Sequence, residues 1–179
     1  MWITTADPDH RRPRQKMTAA HWRACDPTEP PPAPAVSVSI IGSFRQHYPL
    51  VVHAAQELAA LGISVRSPKI CKIINPGGDY ARFETDPPES PDQLIQAVTL
   101  AKIVSSDLVY VVAPGGYVGR TTCYELGRIH ERSIPVYYSA IPRDLPIAIP
   151  PGSVLCVHDL GRKILARPWY RHECLAPEN

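Results

Sequence analysis

In Ser106-Asp107-Leu108-Val109-Tyr110-Val111-Val112-Ala113-Pro114-Gly115-Gly116-Tyr117-Val118-Gly119-Arg120-Thr121-Thr122-Cys123-Tyr124-Glu125-Leu126-Gly127, a buried strand, a glycine turn and a helix start follow one another. Leu108 to Ala113 is a near-continuous apolar run, the mark of a central parallel strand covered on both faces. Three glycines, Gly115, Gly116 and Gly119, then stand at its carboxyl edge, where a backbone without Cβ atoms can approach a ligand closely. Thr122 to Arg132 reads as the helix that follows. Backbone N–H groups and a helix N-terminus are thus aimed at one small space that also holds a carboxylate, Glu125, which suits an anionic or sugar-bearing ligand.

The flanking segments repeat this alternation. Val36 to Ile41 is rich in β-branched residues and runs into the turn Gly42-Ser43-Phe44-Arg45. Val51, Ala54, Ala55 and Leu58 recur at helical spacing after Pro49, and Gly62 sits where a C-terminal cap belongs. Ile63 to Ser67 gives a second strand, followed by a long turn-rich loop from Asn75 to Pro88. Ser90-Pro91-Asp92-Gln93 predicts a helix start with Ser90 as N-cap and Gln93 closing a capping box, and the helix should run to about Ser105. Ile134 to Tyr138 reads as a fourth strand and Val154 to Val157 as a fifth. The expectation is an α/β fold, a doubly wound parallel five-stranded sheet of the flavodoxin or Rossmann kind. Its ligand crevice would lie outside the carboxyl ends of the strands, flanked by the turns at Gly42 and Gly115.

With 179 residues, 44% of them hydrophobic, the chain can bury one good core. We expect one domain over residues 36–179, preceded by a disordered proline-rich tail over residues 1–35 that ends in Pro30-Pro31-Pro32-Ala33-Pro34. A net charge of +2 with scattered Lys and Arg argues against a nucleic-acid surface, and Arg11, Arg12, Arg14 and Lys16 read as a solvated basic run. No apolar segment approaches the roughly 20 residues that span a bilayer, and no secretory signal is evident, so no membrane partner and a cytoplasmic location are expected. The five cysteines, Cys25, Cys71, Cys123, Cys156 and Cys174, are widely spaced without a C-x-x-C pair and read as reduced thiols. The seven histidines form no ligand cluster, so no metal is expected. Neither a Walker loop nor G-x-G-x-x-G occurs, and no cofactor is expected.

Each candidate residue has a plainer reading beside the chemical one. Glu125 can close a T-x-x-E capping box from Thr122, or face the ligand space opened by the glycine turn. Gly42-Ser43-Phe44-Arg45 is an ordinary β-α turn, or a phosphate cradle of N–H groups, a hydroxyl and a guanidinium. Asp107 is a structural carboxylate or a ligand contact. Glu84, Asp86 and Asp92 are solvated loop charges, or the source of a second carboxylate. Cys123 at a helix start has no neighbouring histidine to serve as base and reads as a packing residue.

Three of these segments resemble the nucleoside 2-deoxyribosyltransferase superfamily and its hydrolase branch, the nucleoside 5'-monophosphate N-glycosidases. They are Gly42-Ser43-Phe44-Arg45, Ser106-Asp107-Leu108-Val109, and Gly119 through Glu125-Leu126-Gly127, within a span from Val38 to Tyr138. The resemblance implies a flavodoxin-type sheet of order 2-1-3-4-5 and a homo-oligomer, taken as a dimer. It also implies cleavage of the bond between nucleobase and sugar, with a small-molecule nucleoside or nucleotide as partner. By the same resemblance Glu125 is the nucleophile, and Gly42, Ser43 and Arg45 hold a 5'-phosphate. Phe44, Asp107, Gly115, Gly116, Tyr117, Gly119, Thr121 and Thr122 are the further substrate-binding candidates, and Tyr117 and the Tyr80 to Phe83 segment would stack on the base. Family members carry an acidic residue about two turns ahead of Asp107, where this chain has Thr99; Asp92 and Asp86 are the candidates for a second catalytic carboxylate. Pro114-Gly115-Gly116 with the following Gly, Thr and Glu also resembles the P-G-G-x-G-T-x-x-E signature of cytokinin-activating phosphoribohydrolases, which points to the same bond. Hydrolysis is preferred because Arg45 suits a phosphate; base exchange between nucleosides and a non-catalytic nucleotide sensor are the alternatives.

Overall fold

Every residue of Ser37–Gly42 (β1) and of Leu108–Val112 (β3) is buried, as the apolar runs require. The computed structural model describes residues 36–75, 80–143 and 145–166, all within one unit, Ala33–Asn179. The expected tail over residues 1–35, its basic run, and Cys25 and Cys174 lie outside the described residues. The remaining elements are α1 (Phe44–Ala60), β2 (Ser64–Ser67), α2 (Asp92–Val104), α3 (Arg120–Glu131), β4 (Val136–Tyr138) and α4 (Val157–Leu165), with a 3-10 turn at Pro114–Gly116.

The four strands pair in parallel in the order β2-β1-β3-β4. Alternation along them sends side chains to two cores. Val38, Ile40, Leu108, Tyr110 and Val112 pack with Val51, Ala54, Ala55 and Leu58 of α1 and with Leu160 and Ile164 of α4. Ile41, Val109 and Val111 pack on the other face with Ile103 of α2 and with Leu126 and Ile129 of α3. Each such Val, Leu or Ile contributes roughly 1.5–3 kcal/mol by leaving water. The four residues of α1 that the helical spacing singles out are the four it buries. A kink at His47 (φ −130°) precedes Pro49, whose missing N–H cannot continue the helical ladder.

The fifth strand is not formed. Val154 makes one parallel bridge to Tyr138, with Tyr138 N–H donating to Ser153 O (2.8 Å) and Leu155 N–H to Tyr138 O (2.9 Å). The chain turns away there because Cys156 Sγ accepts the Asp159 N–H (3.4 Å) and caps α4. Gly161 lets α4 lie close on α1, since a Cβ there would collide with Leu61. Two helix starts also differ from expectation. Helix α2 follows Pro91 as N-cap with no side-chain cap bond, so Ser90 closes no capping box. Helix α3 begins at Arg120 behind Gly119, two residues ahead of Thr122. Among the described residues no helix is long and apolar enough to cross a membrane.

Candidate functional site

Strand order reverses between β1 and β3, and both strands hand over to helices at their carboxyl ends, the place where doubly wound sheets hold ligands. The strands come close there: a Cβ on Gly42 would stand 2.8 Å from Val112 O. Ser43 and Gly119 are the N-caps of α1 and α3, and a Cβ on Gly119 would lie 3.8 Å from Ser43 Cβ and 3.9 Å from both Ser43 Oγ and the Tyr117 hydroxyl oxygen. Neither cap makes a side-chain hydrogen bond, and neither helix has an acidic residue in its first turn. Each instead carries an arginine there, Arg45 and Arg120. Guanidinium groups beside the positive ends of two helices are electrostatically unfavourable until an anion arrives.

The two helix starts open into a cleft of about 710 Å³. Gly42, Ser43, Phe44, Arg45, Tyr117, Gly119, Thr121, Thr122, Asp92 and Glu125 all line it, as do Tyr80 and Phe83. Glu125 occupies the second turn of α3 and is only 9% exposed. The early start of α3 carries it past the position a capping box needs, and no described residue holds its carboxyl by a hydrogen bond or ion pair. Burial without a compensating partner pushes its pKa up to about 8.

The other carboxylates are tied up or elsewhere. Asp92 lies on the cleft, but its Oδ1 is 3.5 Å from Arg82 Nη1. Asp86 does not line the cleft; its Oδ2 accepts the Phe83 N–H (2.8 Å) and it borders a neighbouring hollow. Glu84 accepts the Lys72 N–H (3.3 Å). Asp107 is at the amino end of β3, away from the crevice, where its Oδ2 accepts Ser37 N–H (2.8 Å) and Ser37 Oγ–H (2.7 Å) and joins β1 to β3. Gly115 and Gly116 do not line the cleft either. They shape the 3-10 turn, with Gly116 at φ +82° donating to Ala113 O (2.9 Å) and accepting from Arg143 N–H (3.0 Å). Thr99 of α2 faces the cleft, and Cys123 packs with the second core.

Sequence reading missed Arg120, Asn75 and Gln96 and took Arg82 only as part of the stacking segment Tyr80 to Phe83; all four stand on the cleft wall. Arg82 donates through Nη2 to Ser90 O (2.5 Å) as well as pairing with Asp92, and Asn75 accepts the Arg82 N–H (2.6 Å) while donating to Tyr80 O (2.7 Å). These contacts fold the long loop onto α2. Its length was the only signal, because no periodicity marks a residue that bonds across a loop. Phe44 and Phe83 meet edge to face with centroids 5.9 Å apart, giving the cleft an aromatic wall. Among the described residues no group of three or more His, Cys, Asp or Glu is placed to hold a metal ion.

The arrangement can bind an anion at the paired helix starts and present a neutral, buried carboxyl to whatever that anion carries. Comparison with protein-family models, curated proteins and solved structures gives no match for this chain.

Proposed function

We propose that this protein hydrolyses the N-glycosidic bond of a nucleoside or nucleoside 5'-monophosphate, with Glu125 as the residue that carries the chemistry. The single observation behind the reading is the carboxyl of Glu125, nine-tenths buried and held by no described residue, in a cleft headed by two uncapped helix N-termini. Breaking such a bond builds positive charge on the anomeric carbon, and a carboxyl in a dry site is the group that answers it. Arg45, Arg120, Ser43 and the first-turn N–H groups of α1 and α3 suit a 5'-phosphate. Phe44, Phe83, Tyr80 and Tyr117 offer apolar faces for a base. A held phosphate favours nucleotides over free nucleosides, and hydrolysis over base exchange.

The test is chromatographic release of free base from a panel of nucleosides and 5'-monophosphates by wild type and Glu125→Ala. Wild type should release base and the variant should be slower by roughly 10²–10⁴-fold, the range for loss of one acid–base group. Equal rates would remove Glu125 from the mechanism. Tight nucleotide binding by wild type with no base released would favour a sensor, for which the ion-paired Asp92 and the neutral Thr99 are the motivating observations.

A further inference from the structure

Resting on the glycosidase reading above, we propose that Glu125 is the acid of the reaction and not its nucleophile: its carboxyl proton goes to the departing base, and the carboxylate left behind steadies the sugar cation. The resemblance implies a nucleophilic glutamate helped by a second acid. Among the described residues the cleft holds no second acid ready for that work.

Asp92 of α2 is paired with Arg82, whose guanidinium also donates to Ser90 O, so its carboxylate is already engaged on the cleft wall. Asp86 and Glu84 do not line the cleft and accept the N–H groups of Phe83 and Lys72, and Thr99 has no acidic proton to give. Among the described residues, the charged or titratable groups that line the cleft with Glu125 are Arg45 of α1, Arg120 of α3, Arg82 of the loop, Asp92 of α2, and Tyr80 and Tyr117. Arg82 is committed to Asp92, and neither Arg45 nor Arg120 makes an ion pair with Glu125. None therefore compensates an ionised Glu125, and a buried carboxylate without a partner is costly. The neutral acid is the resting form, in keeping with the upward push of burial on this group.

The step balances with this one side chain and water. The bond from the anomeric carbon to the base nitrogen breaks, and its electron pair goes to the base. The Glu125 proton moves onto the base, which leaves neutral, while the new carboxylate faces the oxocarbenium carbon. Water then bonds to that carbon and gives one proton to Glu125, which restores the acid.

Three measurements on the full chain test the assignment. The pH profile of kcat/KM for base release should be level through neutrality and fall above about pH 8, where the resting acid is lost. A rate that climbs through neutrality to a plateau above pH 8 would overturn it, because a nucleophile must first be deprotonated. Incubation with a 2'-deoxy-2'-fluoroarabino nucleoside, read by intact mass, should give no glycosyl adduct, and an adduct on Glu125 would also overturn it. Finally, Glu125→Gln should lose roughly 10²–10⁴-fold on a natural nucleoside but far less on 4-nitrophenyl riboside, whose leaving group needs no proton. Equal losses on both would fit nucleophilic attack instead. If wild type releases no base at all, the glycosidase reading falls and this assignment with it; base release with the opposite pH profile or a trapped adduct removes the assignment alone.

Discussion

Ser43 and Gly119 cap two different helices yet nearly touch, a Cβ on Gly119 standing 3.8 Å from that of Ser43. Two helix starts therefore share one space, and the arginines beside the caps add positive charge to it. Arg45→Ala and Arg120→Ala should each raise KM for a 5'-monophosphate by roughly 10- to 100-fold, the scale of one charge-assisted hydrogen bond. The corresponding nucleoside should be affected far less. Steady-state kinetics on the matched pair checks this, and equal effects on both would refute phosphate recognition at the paired caps.

Burial of Glu125 also has a consequence for stability. Its pKa in the folded chain is about 8, above the ordinary 4.5, so the folded form holds a proton that the unfolded form releases between those pH values. The native state is accordingly weakened as pH rises through that window, and the penalty levels off above it. Glu125→Gln should match wild type near pH 4.5 and be more stable at pH 8, by roughly 1–4 kcal/mol. Thermal melts of both proteins at the two pH values read the difference, and a Gln variant less stable at pH 8 would contradict the burial argument.

Asp107 is expected to matter to the fold and not to the ligand. Removing its carboxylate in Asp107→Ala leaves Ser37 N–H and Oγ–H without their acceptor at 2.8 and 2.7 Å, at a cost of about 1–3 kcal/mol. Denaturant titration should show that loss, while KM of the folded fraction stays within about twofold of wild type. A selective rise in KM would instead return Asp107 to the binding site.

Gly42→Ala probes the close approach of the two central strands. The added methyl would meet Val112 O at 2.8 Å, and backbone cannot swing aside as a side chain does, so roughly 1–3 kcal/mol of stability should be lost. Because the strain falls at the mouth of the cleft, nucleotide affinity measured by calorimetry should drop as well.

Local pattern carried much of the fold. The run Leu108 to Ala113 announced a strand buried on both faces, and Val51, Ala54, Ala55 and Leu58 announced the buried stripe of α1. Both signals are intrinsic to a chain that must alternate or repeat to bury one side. The end of the domain was read less well. Val154 to Val157 has the composition of a strand, but the Cys156 cap and the fit of Gly161 against Leu61 turn it into a helix, and both depend on tertiary neighbours. The position of Glu125 was similarly ambiguous, since a T-x-x-E spelling fits a cap until the helix is seen to start earlier. Arg82 could not be found by spacing at all, because its partners Asp92 and Ser90 O are joined to it only by the course of the loop.

Gly119 has ordinary contact room around the Cβ it lacks, so the position tolerates a side-chain carbon beside the Ser43 cap. A carboxylate on the α3 N-cap would accept first-turn N–H groups from within the chain, typically worth about 0.5–2 kcal/mol. This chain forgoes that reinforcement. On the proposed reading, a self-sealed Gly119→Asp protein should be sturdier and bind nucleotides more weakly than wild type.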